Sequence, residues 1–191
     1  MNNIYILLFL ILFQPVSMAV AQNTLVKGGI NISSLTDLPE KSFLIGYHIG
    51  IGGIKDVSDK LGLKYELIFS QQGTEITSDY KLVYYYLNMP ILLNARSGGN
   101  FSFDVGPQVG LALKAFEKGE REGDITANLN TLDISVCIGV NYLINERFFA
   151  EGRFNMGLTN LSRLSEKDSF RNTVFQGSVG YYFKRKNQQG E

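Results

Sequence analysis

Apolar and polar residues alternate along most of this chain, in eight segments. Residues 25–33 set Val26, Ile30 and Ile32 against Lys27, Asn31 and Ser33. Residues 43–53 set Phe43, Ile45, Tyr47, Ile49 and Ile51 against Leu44, His48 and three glycines, Gly46, Gly50 and Gly52. In 61–70, Leu61, Leu63, Tyr65, Leu67 and Phe69 oppose Lys64, Glu66 and Ser70. The same rhythm runs through 82–94, 101–114, 131–143, 148–158 and 173–183. Period-two alternation rich in β-branched and aromatic residues is the signature of strands. Each segment also reaches the roughly 9–11 residues of a tilted transmembrane strand.

The connections are alternately short and long. Residues 54–60, 95–100 and 144–147 are tight, whereas 34–42, 71–81, 115–130 and 159–172 are longer and more polar. A membrane barrel with both termini in the periplasm has short turns there and long loops outside. The expected fold is therefore all-β: an eight-stranded antiparallel up-and-down transmembrane β-barrel with a filled polar interior. The mixed charges of 115–130 predict a loop lying fully in water.

In lipid every backbone donor and acceptor needs an internal partner, which a closed barrel supplies. The apolar set then faces lipid and the polar set fills the lumen. Eight strands enclose a lumen just wide enough for side chains to fill, so no wide pore is expected. Lys64, Glu66, Asp104, Lys114, Asp133, Glu151 and Arg153 fall on the inward side and form a candidate interior polar network, since buried charges survive when paired. Tyr47, Tyr65, Tyr85, Tyr142 and Tyr181 are candidates for interfacial girdles. Pro90 and Pro107 each remove a ladder donor inside a strand, and a bulge or a bent strand position is expected at each.

Two segments lie outside this pattern. Ile4 to Phe13 is an apolar run too short for a membrane helix, which needs about 20 residues, and Ala19-Val20-Ala21 follows it. Residues 1–21 are thus expected to be a signal peptide, with cleavage before Gln22. Residues 22–183 form the barrel domain and 184–191 a hydrophilic C-terminal tail. The chain has 18 basic and 18 acidic residues, a balance that gives no reason to propose nucleic acid as a partner. Cys137 is the single cysteine and His48 the single histidine, which excludes an internal disulfide, a thiolate metal cluster and a multi-histidine metal site. No cofactor or catalytic residue is assigned. His48 lies on the inward face, where a hydrogen-bonded interior role is expected.

Several stretches resemble a known family. They are Gly28-Gly29-Ile30-Asn31-Ile32-Ser33, Tyr86-Leu87-Asn88-Met89-Pro90, Gly106-Pro107-Gln108-Val109-Gly110, Arg153 to Asn160, and the closing Gly180-Tyr181-Tyr182-Phe183. Together they are similar to the outer-membrane β-barrel proteins of Bacteroidetes, a group that includes relatives of the secretion component PorT. The resemblance implies a Gram-negative outer-membrane location, tolerance of both prolines, and no catalytic residues. Here Phe183 precedes a hydrophilic tail, so the aromatic signal that often ends such barrels would be internal.

The functional expectation is a non-enzymatic outer-membrane barrel with a structural, surface-binding or secretion-related role. Its partners would be outer-membrane lipid, the barrel assembly machinery during insertion, and a surface ligand or secretion partner met by the long loops. The alternative is a secreted soluble barrel of the lipocalin type, with the apolar set turned inward around a small ligand.

Overall fold

The computed structural model describes residues 23–36, 42–77, 80–119, 123–128, 130–161 and 170–183. The proposed signal peptide, the C-terminal tail and parts of the loops lie outside these residues. Eight long strands follow in chain order: β1 (Thr24–Leu35), β2 (Ser42–Asp56), β3 (Leu61–Thr77), β4 (Tyr80–Arg96), β5 (Phe101–Lys118), β6 (Leu132–Leu143), β7 (Phe148–Gly157) and β8 (Asn172–Tyr182). Each pairs antiparallel with its sequence neighbours, and β8 pairs back onto β1 from Leu25↔Tyr182 to Leu35↔Asn172. The sheet closes on itself, so it is the eight-stranded barrel that the alternation predicts.

The faces are settled by exposure. Ile45, Ile49, Ile91, Phe103, Ile138, Phe154, Phe175 and Val179 point outward, with Ile45 as much as 73 % exposed. Lys27, Asn31, His48, Lys64, Asp104, Arg153 and Gln176 point into the lumen and are buried. The apolar set therefore faces out, which rules out the lipocalin-type arrangement. Two groups of rings sit on the outer face. Phe101–Tyr142 and Phe148–Tyr181 pack at the end carrying the short turns, at centroid distances of 4.9 and 5.1 Å. Tyr47, Phe69, Tyr85 and Phe116 run in succession across β2–β5 in the half nearer the long connections.

Two expectations need correction and a third is narrowed. Residues 71–77 and 80–81 are strand, not loop. β3 and β4 continue through them, paired from Gln71↔Tyr85 to Thr77↔Tyr80, with Gln72 and Thr74 buried inside. Polar residues conceal this extension in the sequence because its outer face leaves the apolar band. Residues 115–130 are not wholly in water either. Ala115 is buried, Gly123–Asp124 pairs with Phe116–Glu117, and a 3-10 turn spans Thr126–Asn128.

The prolines are not at bulges. Pro90↔Gln108 and Pro107↔Val136 sit in register; the β3–β4 pairing lapses beside Pro90, between Tyr65↔Ile91 and Ile68↔Asn88, and the β4–β5 pairing beside Pro107, between Pro90↔Gln108 and Leu93↔Val105, each resuming in the same register. An antiparallel residue directs its amide to one neighbour only. Each proline therefore costs one bond on one side and leaves the register intact. The register shifts lie elsewhere, between Phe43 and His48, Glu75 and Thr77, and Tyr85 and Tyr86.

Ile138 is 60 % exposed at mid-strand in β6. Ile138→Lys should destabilise the barrel in phospholipid by about 2–4 kcal/mol, measured by urea unfolding. Val57→Lys, in the turn after β2, should be nearly neutral. Equal effects would contradict the lipid-facing assignment.

Candidate functional site

The lumen is filled in layers. At the short-turn end Leu25, Ile54, Phe149 and Tyr182 form a buried apolar plug. Phe149 fits because residue 180 is glycine: a Cβ there would lie 2.2 Å from its ring. At the opposite end Leu35, Tyr84, Tyr86, Ala112, Ala115 and Leu161 form a second plug. Leu35 and Leu161 come from the ends of two long connections, so those segments help to close the barrel.

Between the plugs lies a cluster of six ionisable side chains. Lys64 Nζ lies 2.8 Å from Asp104 Oδ2 and 2.6 Å from Glu151 Oε2. Lys27 Nζ reaches Glu151 at 2.6 Å and Glu66 at 3.1 Å. Arg153 spans the two glutamates, with Nη1 2.6 Å from Glu66 Oε2 and Nη2 3.0 Å from Glu151 Oε1. Every one of these side chains is fully buried. Asn94 and Asn141 each donate an amide hydrogen to Asp104, at 2.6 and 2.9 Å. The ammonium of Lys64 also stands 5.8 Å from the Phe149 ring centroid, tying the cluster to the plug. Three cations and three carboxylates cancel. Removing each ion from water costs several kcal/mol, which mutual attraction and these hydrogen bonds offset.

Of the seven residues proposed from sequence, the structure brings Lys64, Glu66, Asp104, Glu151 and Arg153 together. Asp133 is buried near the long-connection end, where it accepts the Thr159 hydroxyl at 2.5 Å, apart from the cluster. Lys114 is a correction: it is exposed on the outer face, its ammonium 5.9 Å from the Phe116 ring centroid. The reason is the β4–β5 shift, in which Tyr86 pairs with Ala112 but Tyr85 with Lys114, leaving Leu113 as an extra residue. That bulge reverses the alternation behind it. Lys27 is the member that the sequence-based set omits. It is the single charge on the polar side of 25–33, but its partners are 39 and 124 residues away.

Above the ions lies a neutral polar belt. The two amide hydrogens of Asn31 are shared among Tyr47 O, Ser70 Oγ and Gln71 O, which orients its Oδ1 toward His48 Nδ1 at 2.8 Å. Nδ1 therefore carries the proton, and Nε2 accepts the Ser178 hydroxyl at 2.8 Å. This order resembles a serine nucleophile, its base and an orienting amide, but all three groups are buried between the two plugs. Its work is to hold β1, β2 and β8 in register. At the short-turn end a cavity of about 530 Å3 lies beside the plug, lined in part by Asn94, Arg96, Ser102, Asn141, Phe149 and Tyr182. Among the described residues no cluster of three or more histidine, cysteine or acidic side chains is placed to hold a metal.

Comparison with known proteins agrees with this architecture. Residues 21–163 match the family described as outer membrane protein beta-barrel domain. No curated protein matches the sequence. Among solved structures, Neisserial surface protein A aligns with a TM-score of 0.64 at 10 % identity, over 83 % of this chain and 96 % of that one. Ail, the attachment invasion locus protein of Yersinia pestis, aligns at 0.53 and 13 % identity, over 85 % of this chain and 99 % of its own. A second structure of Ail, in complex with the heparin analogue sucrose octasulfate, aligns at 0.51 and 13 % identity, over the same shares. At these identities the likeness is one of fold. Family and fold together place the chain in the outer membrane of a Gram-negative bacterium, surrounded by lipid.

Lys64→Met removes one of three buried cations and leaves three carboxylates facing two. The expected cost is about 3–5 kcal/mol, read as a lowered urea midpoint for the folded barrel. An unchanged midpoint would show that the cluster is not neutral and paired in the membrane.

Proposed function

We propose that this chain, which belongs to the outer membrane protein beta-barrel domain family, is a sealed, non-enzymatic outer-membrane scaffold whose long connections contact partners at the cell surface. The observation that carries this reading is the lumen. Two apolar plugs and a paired ion cluster fill it, so the protein's outward-facing work falls to its surface. The short turns and both ends of the chain would face the periplasm, and the long connections the exterior. On this reading residues 1–21 direct export and are removed, and the assembly machinery inserts the barrel. The motifs around Pro90, Pro107 and Arg153 support a finer placement among PorT-like barrels of Bacteroidetes, where the surface partner would belong to a secretion system. Ail, whose fold is similar, has been seen with a heparin analogue, and a surface ligand for this chain fits the same general role.

Planar-bilayer recordings test the sealed lumen. The expected trace shows no steady large conductance steps, and porin-like steps would overturn it. Mass spectrometry of the protein from isolated outer membranes should find Gln22 as the first residue, and an intact Met1 would contradict removal of the export signal.

A further inference from the structure

β3, β4 and β5 run for 17, 17 and 18 residues, against 12, 10 and 11 in β6, β7 and β8. At about 3.3 Å per residue, the excess carries these strands roughly 15–20 Å past β6, β7 and β8 at the end with the long connections, with β2 alongside β3 as far as Ser42↔Glu75. Its outer face begins at the aromatic row, with Tyr85 and Phe116 6.2 Å apart. Lys114 lies within that row, opposite Tyr85 across the β4–β5 ladder, with its ammonium 5.9 Å from the Phe116 ring centroid. Beyond it Lys81 and Lys118 stand opposite each other across the β4–β5 ladder.

Like charges directly opposed in a sheet are unfavourable, and here they sit just above an apolar band. Glu75 neutralises Lys81 at 3.0 Å. Asp124 pairs beside Phe116 and is held by the Thr126 amide and hydroxyl at 2.9 and 2.5 Å. Lys114 and Lys118 have no carboxylate within ion-pair distance among the described residues. The bulge at Leu113 is what turns Lys114 to this face; without it the lysine would enter the lumen.

The geometry points to the outer face of this protruding sheet, centred on Lys81, Lys114 and Lys118 and floored by Tyr85 and Phe116, as a binding surface for the phosphate-bearing headgroup of an outer-leaflet lipid. Position makes the match. Residues within the aromatic row, such as Lys114, and immediately above it, such as Lys81 and Lys118, lie at the height of the headgroups, where interfacial rings anchor and basic side chains meet anionic lipid. The inference rests on the orientation proposed above, with the long connections outside.

The test uses the full-length protein in detergent, titrated with lipid A carrying both phosphates and with dephosphorylated lipid A, and read by native mass spectrometry. Phosphorylated lipid A should bind more tightly. The triple variant Lys81→Gln/Lys114→Gln/Lys118→Gln should lose that preference, by at least about tenfold. Lys55→Gln/Lys60→Gln, at the other end, should retain it, and both variants should keep the heat-dependent gel mobility of a folded barrel. Equal binding of the two lipids, or an unaffected triple variant, would overturn the proposal. So would inositol hexakisphosphate displacing lipid A completely, since the surface would then serve a soluble polyanion. Orientation is read separately with a membrane-impermeant maleimide on intact cells. Lys118→Cys should be labelled and Lys60→Cys, on the periplasmic side, should not, with the buried Cys137 giving no background. The reverse pattern would overturn the orientation itself, whatever the lipid result.

Discussion

A sheet surrounded by lipid has nowhere to send an unpaired backbone group except to another strand of the same protein. The ladder between β1 and β8 meets that demand here, running without a shift from Leu25↔Tyr182 to Leu35↔Asn172. Everything else in the molecule follows from that seam. Once the sheet is closed, each strand has an outward face that must be apolar and an inward face that need not be. The inward face can then hold ionised groups that no lipid-exposed position would tolerate.

Closure also sets what the lumen can contain. Eight strands leave room for one layer of side chains from opposite walls to meet, and this chain uses the room for six charges that cancel. Such a cluster is weak evidence for high stability, because desolvation consumes most of the attraction. Its stronger effect is on specificity: Lys64, Glu66, Asp104, Glu151, Arg153 and Lys27 come from β1, β3, β5 and β7, and their contacts are made together in one strand register. The His48 chain to Asn31 and Ser178 does the same for β1, β2 and β8. Apolar plugs flank these contacts at both ends of the lumen.

The alternation made the strands and their faces legible, because the outward side of a lipid-exposed strand has to be apolar at every second position. It could not show which inward charges meet. Lys27 lies on the polar side of the first strand, but only barrel closure brings it to Glu151, 124 residues away. Lys114 illustrates the opposite limit. Its period-two position reads as inward, and one extra residue at Leu113 reverses it. The β3–β4 extension through 71–77 and 80–81 was hidden for a related reason: above the membrane the outer face is free to be polar, so alternation fades although pairing continues. The prolines read as defects until the ladder showed that each removes a bond on one side only.

The most direct measurement is amide hydrogen–deuterium exchange of the protein in lipid nanodiscs, resolved along the seam. A closed barrel predicts that the amides pairing β1 with β8 exchange as slowly as those pairing β6 with β7. Rapid exchange along Val26 to Ile32 and Phe175 to Tyr181, with the other ladders protected, would show an open sheet. It would remove the basis for a sealed, charge-filled lumen.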